Sequence, residues 1–474
     1  MSAIHPGSTS LIPGPSPLPV LGGYGNLLPF MRDPIAQMHS LHQRYGEIVG
    51  LAAGTPQIVF VFSPEYNQLV LGNTSLFYAR DAKSLPIKVP ENSPLSRLFA
   101  GLHQMNGVKH EQQRRLIMPA FHPQRIASYR DDIVVLVEQT LSNWQIGRSL
   151  NLCDELRQLM LKIAIKTRLG LDPAQEGAEI GYLLESWMNL VFSIPALLLP
   201  FNIPGLPYYR LLVTSERLER EIQAIIHHKR TSQTDQGDAL SMLMQAHDEN
   251  GTQLTDDELI GQTAALFVAG HDITTRVLTW TLFLLSQHPG VMADLLDELA
   301  GKLHGHAPTV EQLSQLQLLE WVIKESMRLL PPVLWWSRIS TAPCQLGLYA
   351  IPQGAAIIVS HYITHRLPDV YPQPNKFLPQ RWQNINPGPY EYIPFSAGPR
   401  MCPGTASAML EMKLVLSMLL QRYHLTLPAK TRIDRSGLML SAPKQGLPMI
   451  VELQRRQFRK NEVCGNILSL VDLG

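Results

Sequence analysis

The stretch FSAGPRMCPGTASAMLEMKLVL, residues 395–416, places a cysteine at the mouth of an apolar helical pattern. Cys402 stands just before the periodicity begins, with Pro403 at the first helical position, where its fixed φ and missing N–H fit best. Backbone N–H groups and the helix dipole then point at the sulfur. That setting lowers a thiol pKa and favours thiolate, the form that ligates metals. Gly398 and Gly404 let the backbone approach something bulky and flat without a Cβ in the way. Arg400 supplies a fixed cation for an acidic group. An isolated cysteine more often packs as a small hydrophobe, so its flanking residues must decide.

A second stretch, AGHDITT at 269–275, sets Ala269, Gly270, His271 and Asp272 in the middle of an apolar run, with hydroxyls two steps on. A buried acid or hydroxyl is costly unless it bonds to something. The segment therefore reads as functional more readily than as a satisfied core polar pair. Other candidates carry less. Glu325 and Arg328 in KESMRLLPP share a helical face at i, i+3, which alone suggests a weak surface ion pair. His361 and His365 have a two-histidine metal spacing but lie in proline-bounded irregular sequence. Arg455, Arg456, Arg459 and Lys460 read as a solvated face.

The elements that must position these residues are mostly helical. Thr255-Asp256-Asp257-Glu258 is a capping box. The pattern then runs without a breaker to His288-Pro289-Gly290, about 33 residues or roughly 50 Å. A helix of that length, apolar on most sides, belongs at the centre of the fold. Further helices are expected over most of 110–300, then at 290–303, 315–330 and 404–422. Strands are expected at Ile48–Ala52 and Gln57–Phe62 around a Gly54-Thr55-Pro56 turn, at Ala356–Ser360, and as a closing pair. Residues 11–29 read as an extended lead-in. SIPALLLPFNIPGLPYY, 193–209, is apolar, but its prolines forbid a regular helix.

The chain has 474 residues and is 45% hydrophobic, enough for a sizeable core. A net charge of +1 gives no case for a nucleic-acid partner. Cys153, Cys344, Cys402 and Cys464 form neither a disulfide framework nor a zinc spacing. There is no GxGxxG or GxxxxGK[ST], so a nucleotide fold is not indicated. The N-terminal residues lack a signal-peptide pattern and no stretch is long and apolar enough to span a bilayer. A cytoplasmic protein is expected.

Phe395, Gly398, Arg400, Cys402 and Gly404 together spell FxxGxRxCxG. On these residues the chain resembles the cytochrome P-450 superfamily, whose haem-binding signature this is, and the likeness extends over about residues 11–452. Glu325 and Arg328 match the family's ExxR. HRLPDVYPQPNKFLPQRW, 365–382, resembles the stretch ending in Pro-Glu-Arg-Phe/Trp, with Gln380 in place of the usual Glu. The resemblance implies that Arg381 joins Glu325 and Arg328 in a buried triad. His110-x-x-x-Arg114 and Arg338 resemble the family's propionate-binding residues. In the segment over the iron, Gly270 would loosen the helix for dioxygen, Asp272 would relay protons from solvent, and a Thr would hold the end of that network. Residue 273 is Ile. Thr274 lies about 100° further round and could substitute only if the helix bulges.

The resemblance implies a mostly α fold with small β-sheets (α+β) and a long central helix across the haem. It implies one catalytic domain over 1–474, with a lead-in at 1–20 and a tail at 453–474 of no assigned role. Haem b ligated by Cys402 would sit against Ala269, Gly270, Asp272 and Thr274. The implied activity is hydroxylation or epoxidation of a lipophilic small molecule with O2. Electrons would come from a separate ferredoxin- or flavodoxin-type donor with its reductase, since the chain has no flavin or iron–sulfur segment. The region 193–209 falls near the lid of the substrate channel, where Leu197–Leu199 and Phe201 suggest a greasy entrance or ordinary packing; peripheral membrane contact stays open. Two rivals remain. One is an electron-independent thiolate-haem enzyme (a peroxygenase or hydroperoxide isomerase), motivated by Ile273. The other is a non-catalytic haem protein, against which Asp272 and the apolar lid stand.

Overall fold

The computed structural model describes residues 10–19, 22–80, 87–191, 193–232 and 237–474. Part of the expected lead-in, residues 1–9 and 20, lies outside them. Six helices position the site: α1 (Gly107–Ile117), α2 (Leu152–Ala164), α3 (Pro207–Ser232), α4 (Asp256–Gln287), α5 (Gln317–Leu329) and α6 (Thr405–Arg422).

Helix α4 is the expected central helix, 32 residues long. Its capping box is formed: the Thr255 hydroxyl accepts from the Glu258 N–H at 3.3 Å, and the Glu258 carboxylate accepts from the Thr255 N–H at 3.1 Å. From Val277 to Gln287 every residue is buried. The hydroxyls of Thr275, Thr279 and Thr281 each donate to the carbonyl four residues back, which satisfies them inside the apolar helix. Helices α2, α5 and α6 pack against α4.

Beside the helices lies a five-stranded sheet in the order β1-β2-β5-β4-β3, with β1 (Ile48–Ala52), β2 (Thr55–Val61), β3 (Phe77–Tyr78), β4 (Trp335–Ser340) and β5 (Ala356–Ser360). Only β2 and β5 pair in parallel. The first turn is tighter than the sequence suggested. Gly54 takes φ 69°, closing the hairpin in two residues, so Thr55 and Pro56 already belong to β2. Tyr423–Thr426 and Pro448–Leu453 form the closing antiparallel pair.

Three expectations change. The 193–209 stretch holds one short helix, Ile194–Leu198, and α3 begins at Pro207. Ile194, Leu198, Leu199, Phe201 and Ile203 are 45–73% exposed, whereas Leu197 packs onto the core. The tail, which had no reading, is built into the molecule: Ile467, Leu470, Val471 and Leu473 join the main core, and Arg366 donates to the Leu470 carbonyl at 3.1 Å. Within it, Lys460 donates to the Leu473 carbonyl at 2.6 Å and Arg456 pairs with Asp297, so these two are not simply a solvated face.

Candidate active site

Behind the cysteine loop lies a closed network of charge. Glu325 and Arg328 share the inner face of α5. Arg328 Nε and Nη2 each donate to the Glu325 carboxylate at 2.9 Å. Arg381 Nε reaches Glu325 Oε1 at 2.9 Å, the Leu378 N–H the same oxygen at 3.0 Å, and Trp382 Nε1 the other at 3.1 Å. The remaining Arg328 hydrogens go to the carbonyls of His365, Pro374 and Lys376. Gln380 lies outside this network, at 3.4 Å from Asp294. His365 is a strut and not half of a metal pair, since its Nε2 accepts the Ile393 N–H at 2.9 Å. Among the described residues no group of three His, Cys, Asp or Glu could hold a metal.

The Cys402 N–H donates to the Phe395 carbonyl at 2.9 Å, closing the loop on itself. Gly398 is required here by its φ of 71° and by the Leu71 carbonyl, 2.6 Å from where a Cβ would be. Nothing in the polypeptide presses so closely on Gly404. Helix α6 begins at Thr405, not Pro403, so the sulfur sits three residues ahead of it. The Gly404 N–H, Arg114 and Thr405 all favour the thiolate, but burial outweighs them and pushes the Cys402 thiol up. The expected lowering is therefore not a property of the polypeptide alone; a coordinated metal ion removes such a proton outright.

Arg114 donates to the Met401 carbonyl at 2.8 Å, steadying this loop. Arg400 reaches the other way, to Asn106 Oδ1 at 2.9 Å and to the Met105 carbonyl. Arg338 is 2% exposed; its Nε has no partner, and Nη1 meets only the Ser337 carbonyl at 3.2 Å. Burial, then Arg400, pull Arg338 down to about 9. Burial, then Arg400, Arg114 and Arg338, pull His110 down to about 4. His103 keeps accessible surface but is surrounded by protein at longer range. Desolvation by that surrounding protein, then Arg400, takes it to about 4.

On α4, Ala265, Leu266, Ala269 and Ile273 retain accessible surface along one strip of a helix that is otherwise largely sealed. Gly270 and Thr274 lie on one flank of that strip. Thr274 is buried, and its hydroxyl is directed at the Gly270 carbonyl over a long 3.5 Å. Asp272 lies on the other flank, bound at 2.8 and 3.2 Å by Arg276 one turn on. The helix runs through this segment without a bulge.

Comparison with known proteins decides what these parts belong to. The Cytochrome P450 family model matches residues 12–449. This chain belongs to the cytochrome P450 family. Cyclooctatin synthase of Streptomyces melanosporofaciens is 30% identical over 88% of this P450 and 91% of its own length. Cyclooctat-9-en-7-ol 5-monooxygenase of the same organism is 29% identical over 89% and 90%. The structure of retinoic acid bound cyanobacterial CYP120A1 superposes with a TM-score of 0.81 at 25% identity, over 94% of this chain and all of that one. The P450 is thus a haem-thiolate monooxygenase, an oxidoreductase that incorporates oxygen, of mostly helical fold with small sheets. No helix among the described residues is long and apolar enough to cross a membrane.

The residues present fit a haem. The charges acting on His110, Arg338 and Arg400 are other cations. A buried guanidinium with an orphaned Nε and no acid beside it is costly. The two propionates of haem are the anions such a cluster requires. Asn106 went unread in the sequence, although it ties Arg400 to the Ala79 backbone. Its only signal was its place before Gly107, whose φ of 58° opens α1. Arg168 and Glu411 were missed as well; Glu411 alone left a trace, as an acid within the apolar pattern of α6.

Proposed function

We propose that this P450 hydroxylates or epoxidises a lipophilic small molecule, with haem b as cofactor and residues 1–474 acting as one cytoplasmic catalytic domain. Electrons come from a separate ferredoxin- or flavodoxin-type donor with its reductase. The observation that carries the substrate class is the strip Ala265, Leu266, Ala269 and Ile273. It is the apolar stretch of the accessible face of an otherwise buried helix, bounded at its far end by the part-exposed Asp272–Arg276 pair. Apolar pockets with few polar groups select lipophilic ligands. A relative named for a cyclooctat-9-en-7-ol oxidation and a neighbour solved with retinoic acid support the same class.

Bound haem supplies the activation of dioxygen, which no side chain here can provide. Cys402 would ligate it from the loop that Phe395 and Arg114 hold, within the Gly398–Gly404 signature. Arg338, Arg400, His110 and the Arg114 hydrogens not spent on Met401 would hold its propionates, satisfying the orphaned guanidinium. Asp272 would carry protons inward, taking each one at the carboxylate that Arg276 otherwise grips. Thr274 directs its hydroxyl to Gly270 and away from the apolar strip, so the inner end of the path falls to ordered water or a substrate hydroxyl beside Ala269. An open, largely apolar hollow of about 920 Å³ lined by Met118, Phe121 and Met242 and carrying Arg115 and Arg125 offers a surface with two cations for an acidic electron donor, with Phe121 near Gly404.

The test is a panel of fatty acids, terpenes and sterols, scored by spectral shift on binding and by product formed with a ferredoxin and reductase. Binding without turnover under any electron supply would defeat the proposal. A second reading rests on Ile273: without a hydroxyl there, a peroxygenase or hydroperoxide isomerase needs no external electrons. Turnover with organic hydroperoxide and none with reductase would establish it instead.

A further inference from the structure

Helix α2 does not stop at Ala164. It continues as a π-helical turn over Ile165–Leu169, ended by Gly170 at φ 73°. Such turns are rare and cluster at functional sites. This one carries Arg168, whose side chain is 13% exposed, into the space between α4 and α6. Arg168 Nη1 donates to Thr167 Oγ1 at 2.8 Å, and Nη2 to Glu411 Oε1 at 3.0 Å. The same Nη2 lies 3.5 Å from the Gly270 carbonyl, the outer limit of a hydrogen bond. Glu411 sits on α6, the helix that follows the Cys402 loop. Ser407 donates to its Oε1 at 3.0 Å, while the buried Oε2 has no partner.

Gly270 is shaped around this guanidinium. A Cβ at residue 270 would fall 2.3 Å from Arg168 Nε and 2.6 Å from Cζ. The glycine that the resemblance assigns to a dioxygen groove is also the one position in that turn where the guanidinium can lie against the helix backbone. Two donors, Arg168 and Thr274, converge on the Gly270 carbonyl.

We propose that Arg168, held by Glu411, is a positioning residue for oxygen handling. It fixes the Gly270 peptide and so the turn Ala269–Ile273, in a chain where residue 273 has no hydroxyl to do so. The inference rests on the monooxygenase reading. A planar fork suits the task because it binds a carboxylate and still presents an N–H to a carbonyl; an ammonium is a point charge. The ion pair also ties the helix after the ligand loop to the helix over the reacting centre, so the two faces keep one spacing.

The experiment uses the full haem-loaded chain and Arg168→Leu, Arg168→Lys and Glu411→Gln. One readout needs no turnover: the infrared C–O stretch of the ferrous carbon monoxide complex, which senses nearby charge and backbone order. The other is the share of reducing equivalents released as hydrogen peroxide. Arg168→Leu is expected to shift and broaden the band and to raise the peroxide share about fivefold, the scale set by loss of one ordinary hydrogen bond. Arg168→Lys should recover the band position but not its width, and Glu411→Gln should fall between. A loaded Arg168→Leu protein with the wild-type band and wild-type peroxide share overturns the proposal. If Arg168→Leu loads no haem, Arg168→Gln serves, since its shorter neutral amide stays polar but gives up the ion pair and the contact with Gly270. The same shift then supports the proposal and an unchanged band overturns it. Failure of the monooxygenase reading looks different: wild type would itself lack reductase-driven turnover, while the infrared comparison would still report on Arg168.

Discussion

Glu325 and Glu411 are both carboxylates with almost no accessible surface, 0% and 1%, and each anchors an arginine. Around Glu325 both oxygens are taken, by two arginines, an indole and a backbone N–H, and Arg328 spends its other hydrogens on three carbonyls. Around Glu411 one oxygen serves Arg168 and Ser407, the other serves nothing, and the reach to Gly270 is long. A saturated network has one arrangement and resists change; a partly satisfied one leaves room for water and movement. The first supports a loop that must hold still. The second lies beside the helix turn to which the proposed function assigns the passage of dioxygen and protons.

The comparison can be broken at its fixed end. Cys402→Ala should abolish the red-shifted Soret band of the reduced carbon monoxide complex, the spectral mark of thiolate ligation; a retained band would mean that another residue ligates. Next comes Glu325→Ala. Removing one partner of a buried pair costs about 3–5 kcal/mol, so haem per chain after purification should collapse. Fully loaded protein with only altered turnover would show that the saturated network is not needed for loading.

A smaller effect is expected from pH. His103 and His110 are held at about 4 in the haem-free chain, below the ordinary 6.5. The unfolded chain then binds more protons than the folded one below 6.5, so this stability is full above 6.5 and is lost as pH falls from 6.5 towards 4. A propionate beside His110 would offset part of that loss. Urea melts of haem-free and haem-loaded protein at about pH 7.5 and 5 should show the larger drop without haem; equal drops would remove His110 from the propionate set.

The smallest effect belongs to the loose end. Ile273→Thr should raise product formed per reduced cofactor, provided the new hydroxyl finds a partner; an unmet one costs about 1–3 kcal/mol, so melting must be followed alongside. Unchanged coupling in an already tight wild type would assign the inner proton path to water or substrate.

What could be read in advance follows the same division. Glu325, Arg328, Arg381 and Cys402 sit in fixed local patterns, and the structure joins the first three as those patterns implied. The long helix declared itself through its capping box. By contrast, Arg168 meets Gly270 across 102 residues, through a π turn that no periodicity signals. The balance at the Cys402 thiol in the bare polypeptide could not be read locally, because burial, a tertiary property, pushes it up against the local N–H that favours thiolate. The tail was opaque because its short pieces become core only by contact with residues far upstream.

The unpaired cations also bear on how the cofactor arrives. Arg338, Arg400 and Arg114 form a positive field around the neutral His110, and fields of that kind speed the capture of an oppositely charged ligand and orient it on approach. A dianionic porphyrin would be drawn in by its carboxylate edge. Uptake should then slow as ionic strength rises, and an esterified porphyrin should lose both the rate and its salt dependence.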